Sequence, residues 1–251
     1  GYHAEYYRDH AIALAYNQNP DEAEKVLDEA IELGLKEDSV YYARGEIEKS
    51  LGHIGESLQD FEHCIQYTDD IHMKERAYIL IGDIYKDQGM EEKQREALLR
   101  AKQDLPAENQ MVLLERLIQA DINLAEKSGS SKYRQEAIDS LQQVIEQGWD
   151  TYDTYNNLVI LHEKQKNLTE ASEYLGTMLQ KFGEDYNIYK RYAFLELDKQ
   201  DLKANKERDY QAFSQYYKKA TALYYEQMQD NNTDAEMQLL DNLYQQVITG
   251  G

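Results

Sequence analysis

The chain has 251 residues, and its 48 acidic side chains against 27 basic ones give a formal charge of −21. Such a surface repels nucleic acid, whose phosphates bind cations chiefly by releasing counterions, and it disfavours anionic membranes. The single Cys64 excludes an internal disulfide framework and any multi-cysteine zinc site, and no apolar run approaches the ~20 residues that span a bilayer. Basic partners and a solubilising role are both compatible with the charge.

Only 2 Pro and 13 Gly interrupt runs rich in Ala, Leu, Glu, Gln and Lys, which favour helix because straight side chains lose little rotamer freedom there. No sustained apolar/polar alternation and no Asn-Gly or Asp-Gly hairpin turn is present. An all-α chain is predicted.

In chain order, a first repeat over 4–37 carries Tyr7-x-x-His10-Ala11 and then Ala23, Leu27 and Ala30. Between them Asn19-Pro20-Asp21-Glu22 reads as an N-cap, a first-turn proline and acids at the positive helix end. A second repeat, 38–74, returns the pattern 34 residues later as Tyr41-x-x-Arg44-Gly45, Ser57, Phe61 and Cys64. The third, 75–107, lies 37 beyond the second and reads Tyr78-x-x-Ile81-Gly82-x-x-Tyr85, Leu98, Ala101 and Pro106. A fourth, 108–151, has Ala137, Leu141 and Val144, with Lys127–Ser131 predicted as a long connector between its helices. The fifth, 152–185, follows with Tyr155-x-x-Leu158-Val159, Ala171, Leu175 and Met178. The sixth, 186–229, has Tyr189-x-x-Tyr192-Ala193 and a predicted long second helix from Ala204 to Met228. Residues 234–248 are predicted as a polar capping helix. Gly34, Gly52, Gly89, Gly148 and Gly183 fall where helix-terminating glycines belong.

The interval and these positions resemble the tetratricopeptide repeat, a helix-turn-helix unit of 34 residues. The third repeat is the best copy, in Tyr78, Ile81, Gly82, Tyr85, Gly89, Leu98, Ala101 and Pro106. Tyr replaces the family's Trp throughout, and the terminal Pro appears once. The resemblance covers nearly the whole chain and implies about six helical pairs plus a cap, stacked as one right-handed superhelical solenoid over 1–251. A break near Lys127–Lys132 is the alternative. One such repeat cannot bury its apolar face alone, so neighbours stabilise each other.

Motifs with chemical meaning are scarce. The six histidines form no His-Glu-x-x-His and no i, i+4 metal pair with a third ligand in reach. Cys64 falls at the small packing position held elsewhere by Ala30 and Ala101, as a buried thiol would. Asp230-Asn231-Asn232-Thr233-Asp234, with Asp241, resembles the opening of a calcium loop, but Ala235 stands where the turn needs Gly. A capping box, Thr233-x-x-Glu236, is the favoured reading. Phosphate-binding glycine loops and the Gly-x-Ser-x-Gly elbow are absent, so neither catalysis nor any cofactor or metal is expected. Of 22 tyrosines, the periodic Tyr7, Tyr41, Tyr78, Tyr155 and Tyr189 are predicted to fill the core, with hydroxyls reaching water or backbone at the rim. Tyr42, Tyr216, Tyr224 and Tyr225 lie off that register and are candidates for interface anchors.

In the family resembled, first helices line a concave groove. The side chains beside the core stripe are then Arg8, Ile12, Tyr16, Tyr42, Glu46, Lys49, Ile79, Asp83, Asn156, Ile160, Glu163, Lys190 and Phe194. Asn156 is notable because a groove amide can both donate to and accept from a peptide backbone. Some members clamp a partner's terminal carboxylate; the corresponding places here include Arg8, Ile12, Ala43, Arg76 and Leu80, and only scattered basic residues match. The resemblance implies a non-catalytic scaffold or adaptor that binds a protein or peptide, with an accessory region of a signalling enzyme such as a bacterial kinase as the alternative. The opening Gly1-Tyr2 and the Gln/Asn-rich composition suggest the soluble part of an anchored bacterial surface protein.

Overall fold

The computed structural model describes residues 3–228 and 234–250. Among the described residues there are thirteen α-helices and no strand. Ten of them pack as pairs, α1 (Ala4–Tyr16) with α2 (Pro20–Glu32), α3 (Asp38–Leu51) with α4 (Ile54–Tyr67), α5 (Ile71–Asp87) with α6 (Glu91–Asp104), α9 (Tyr152–Lys164) with α10 (Leu168–Phe182), and α11 (Tyr186–Asp201) with α12 (Gln211–Gln227), while α7 (Met111–Ser128) and α8 (Ser131–Glu146) follow the third pair in the chain. A final helix, α13 (Ala235–Ile248), follows, and single 3-10 turns occupy Ala107–Asn109 and Asn205–Glu207. The architecture is an all-helical repeat solenoid. Two compact units divide within α8: Gly1–Ser140 and Leu141–Gly251.

In the first unit α1 to α7 pack in succession, each on the next, and the first helix α3 also touches α1 and α5. The periodic positions explain why. Ala11, Ala23, Leu27 and Ala30 are sealed with Val40, and Phe61, Cys64, Leu98 and Ala101 are sealed with Leu113. Small residues set the approach of paired helices. A Cβ on Gly45 would lie 2.9 Å from the Phe61 ring, and one on Gly82 3.2 Å from Leu98 Cδ2. Cys64 is fully buried, its thiol donating to the Asp38 carbonyl at 3.3 Å. Burial first, then Asp38 and Asp60, pushes that thiol up to about 12, so it packs rather than reacts.

The second unit repeats the logic. Tyr155, Val159, Ala171, Leu175 and Met178 form one cluster, and Tyr189, Ala193, Phe213 and Ala220 form the next with Met237 and Leu240 of α13. The capping helix therefore buries one apolar stripe on the last pair and leaves the other side to water.

Several expectations change. The connector predicted over Lys127–Ser131 is only Gly129-Ser130, because α7 runs on to Ser128 and α8 begins at Ser131. Gly129 supplies the left-handed stop, at φ +69°. The second helix of the last pair starts at Gln211, not near Ala204. There Arg208 donates to the Lys203 and Asp201 carbonyls, and the Asp209 amide donates to Gln200 Oε1, which holds the segment as a loop. Buried tyrosine hydroxyls find carboxylates rather than water or backbone. Tyr78 donates to Asp104 at 2.7 Å, and Tyr155 and Tyr189 donate to Asp150 and Glu184, both at 2.6 Å. Tyr216 and Tyr224 pack on the last core cluster, Tyr216 stacking on Tyr192 at 4.9 Å, whereas Tyr225 is 73% exposed.

The stretch that resembles a calcium loop, up to Thr233, lies outside the described residues. Its flanks have other work: Asp234 caps α13 by accepting from the Glu236 and Met237 amides, and Asp241 accepts from the Tyr217 hydroxyl at 2.6 Å. The capping box predicted at Thr233 likewise falls outside the described residues.

One backbone detail gives a test. The turns within the pairs place one residue at positive φ: Gly52 at +80° and Gly89 at +72°, but also Gln18 at +62° and Lys166 at +61°. A Cβ in that region costs about 1–2 kcal/mol, partly offset by glycine's greater freedom when unfolded. Gln18→Gly and Lys166→Gly should each stabilise by about 0.5–1 kcal/mol, read as a higher calorimetric midpoint. An unchanged or lowered midpoint would contradict this reading of the turns.

Candidate functional site

A cleft of about 830 Å³ in the first unit opens on the first-helix face. It draws Arg8, Ile12 and Ala15 from α1, Tyr42, Ala43 and Glu46 from α3, and Met73 and Arg76 from α5. The spacing explains the convergence. In each first helix the core stripe turns inward, and residues one position further on reach the open side. Ala43, Ile47 and Met73 form a buried apolar floor, while Ile12 stands 51% exposed at the wall.

Tyr42 links the wall to the core. Its ring meets Phe61 edge-on at 5.7 Å, and the Arg76 guanidinium lies 5.3 Å from its centroid on the cleft side. Burial, and then the Glu46 carboxylate beside it, pushes the hydroxyl up to about 12, so it remains a neutral donor. Arg8 makes only a 3.4 Å contact with its neighbour Asp9. Two guanidinium groups thus face an apolar floor in a strongly acidic chain.

Of the thirteen sequence-derived groove residues, Arg8, Ile12, Tyr42 and Glu46 come together in this cleft. Tyr16 is 88% exposed beyond it, and Ile79 is buried in the core. Lys49 and Asp83 cross to the following first helices, Lys49 to Asp87 at 3.9 Å and Asp83 to Arg116 at 3.1 Å. The sequence reading of groove positions omitted Ala15, Ile47 and Met73, and placed Arg76 only among the carboxylate-clamp positions. A signal for Arg76 existed: it lies three residues before Ile79, one turn along the same stripe.

In the second unit the same register behaves differently. Asn156 Oδ1 accepts from Asn187 Nδ2 at 2.9 Å, and Asn187 also reaches the Tyr152 hydroxyl. Lys190 is buried and bridges Asp234 at 2.9 Å and Glu236 at 3.2 Å. Glu163 is buried against Arg191 at 3.4 Å, and Arg191 also pairs with Glu236. Burial outweighs Arg191 and pushes the Glu163 carboxyl up to about 7. Both residues therefore face inward to hold α9, α11 and α13 together, an arrangement the sequence did not reveal. Ile160 is half-buried, and Phe194 lines a separate cleft of about 700 Å³ with Leu197, Leu239 and Leu243.

Among the described residues no group of three or more His, Cys, Asp and Glu side chains is placed to hold a metal ion, and no helix is long and apolar enough to cross a membrane.

Comparison with known proteins agrees with this architecture. A sequence model described as tetratricopeptide repeat matches residues 38–70 and 75–103, the helices α3 to α6. No curated protein sequence matches the chain. Among solved structures, the C-terminal part of a TPR repeat-containing protein from Cytophaga hutchinsonii aligns with a TM-score of 0.58 at 15% identity, covering 86% of this chain and 79% of that one. A tetratricopeptide repeat protein from Parabacteroides merdae aligns at 0.52 and 15% identity, covering 94% and 83%. Pseudomonas aeruginosa PilF aligns at 0.51 and 15% identity, covering 95% and 96%. At such identities the likeness concerns the fold.

Proposed function

We propose that this chain, a tetratricopeptide-repeat protein, is an interaction scaffold that seats a peptide segment of a partner in the cleft of α1, α3 and α5. The observation that supports the reading is that three successive first helices contribute to one cleft with an apolar floor and polar walls. Pockets of this size and lining bury most of a small ligand while a few polar groups set its orientation. A stack of pairs also offers a long surface, so a peptide can be held over several repeats.

The lining defines the segment. Met73, Ala43 and Ile47 accept an apolar side chain, and Arg8 and Arg76 favour an acid near it. Ile12 contributes no polar group and is already 51% exposed, so its replacement tests the site with little effect on folding.

A random peptide library selected on the full chain should yield sequences with an apolar residue beside an acidic one. Ile12→Glu should weaken the selected peptides by roughly 10-fold or more, since an unpaired charge then meets the apolar ligand. Affinity unchanged in Ile12→Glu and in Tyr42→Ala would remove the cleft from consideration.

A further inference from the structure

The cleft of about 700 Å³ in the second unit lies between α11, α13 and the loop that joins α11 to α12. It shares no residue with the cleft of α1, α3 and α5. Phe194, Leu197, Asp198 and Asp201 reach it from α11 at positions i, i+3, i+4 and i+7, which form one stripe of that helix. Leu239 and Leu243 face it from α13, one turn apart.

The capping helix therefore carries two apolar stripes. Met237 and Leu240 are 3% and 0% exposed on the last core cluster, whereas Leu239 between them is 51% exposed. Capping the stack needs only the inner stripe. A lone exposed leucine is ordinary, but here Phe194, Leu197, Leu239 and Leu243 converge from two helices on one concavity. Concave apolar surfaces of this size are where ligands are buried.

The rim gives the sign of the occupant. The Asp201 side chain is exposed and makes no hydrogen bond or ion pair among the described residues. Asp198 has one cation near it, Lys166 at 3.9 Å, itself 67% exposed. Burial raises the Asp198 carboxyl above its ordinary value; Lys166 opposes the rise and Asp201 adds to it. Arg208 lines the same cleft, but its Nε and Nη2 donate to the Lys203 and Asp201 carbonyls. Its guanidinium holds the loop and answers neither carboxylate. What this rim lacks is a cation, the reverse of the Arg8 and Arg76 cleft.

We propose that this cleft docks a basic, apolar segment of a partner protein. A leucine or phenylalanine of that segment rests on Phe194, Leu239 and Leu243, and a lysine or arginine close to it in sequence lies against Asp198 and Asp201. The two clefts then select segments of opposite charge, and the loss of either leaves the other intact.

The test begins with a random peptide library selected on the full chain carrying Ile12→Glu, so that ligands of the first cleft do not dominate. Selected peptides should combine Leu or Phe with a nearby Lys or Arg. In the otherwise unaltered chain, Leu239→Lys should weaken them by roughly 10-fold or more, since it removes apolar contact and repels the cation. Asp201→Asn, at an exposed position with no structural partner, should weaken them by about 3-fold and flatten the fall of affinity with salt. Changing the peptide's basic residue to glutamate should cost at least ~10-fold. Enrichment of acidic peptides or of none, or equal affinity for wild type and both variants, would overturn the proposal. So would self-association of the peptide-free chain that Leu239→Lys abolishes, because the face would then belong to a second copy.

Discussion

Replacing Phe61 with alanine should lower the unfolding free energy by about 3–5 kcal/mol, the range for deleting a fully buried aromatic ring. Phe61 is wholly inaccessible, and it fills the space that Gly45 leaves on the facing helix. The pair is reciprocal. A methyl group on Gly45 would meet the ring at 2.9 Å, so Gly45→Ala should cost about 1–3 kcal/mol by overpacking. In a Phe61→Leu background the smaller side chain makes room, and most of that second loss should vanish. A double-mutant cycle followed by urea unfolding measures the coupling. Additive losses would show that glycine at this position serves something other than close packing. Because stability in a repeat array is a sum of local and neighbour terms, Phe61→Ala should also speed amide exchange most in α3 to α6. Loss of the ring would also remove the contact that positions Tyr42 at the wall of the peptide cleft.

The second large effect goes the other way. Glu48→Gln should stabilise the protein by about 1–3 kcal/mol near pH 8, since a neutral amide replaces a carboxyl group held uncharged against its preference. Folding moves this carboxyl from an ordinary 4.5 up to about 9, with burial the leading cause. The folded state therefore holds the proton more tightly than the unfolded chain. Stability linked to this proton is fully present below about 4.5 and is lost as pH rises towards 9. The gap between variant and wild type should be small at pH 4 and widen steadily to pH 8. Unfolding midpoints over that range measure it. A constant gap, or a variant weaker than wild type at pH 8, would show that Glu48 is ionised in the fold.

The fold was legible because its determinants are local and periodic. Tyr78, Gly82, Leu98 and Ala101 each have a fixed place in a pair, and the structure seals all four in one core region. Composition misled where side chains act through longer contacts. Ser128, Gly129 and Ser130 read as a long connector, yet Ser128 ends a helix by donating back to the Leu124 carbonyl, and Gly129 alone supplies the stop. The loop before Gln211 depends on Gln200 and Arg208, whose roles have no sequence signature.

The site was legible by half for the same reason. Helical register brought Arg8, Ile12, Tyr42 and Glu46 to one cleft, because that inference needs only the pitch of α1 and α3. It could not foresee Lys190, which shares the register but is claimed by Asp234 and Glu236, 44 and 46 residues away. Nor could it single out Glu48 among 48 acids, since burial beside Asp60 and Arg44 is a property of three dimensions.

Amide hydrogen exchange on the full chain, with and without a library-selected peptide, tests the central claim most directly. If the cleft of α1, α3 and α5 seats the partner, exchange should slow along those three first helices and at the turn after α1. Slowing confined to α2, α4 and α6, or to the second unit, would contradict it.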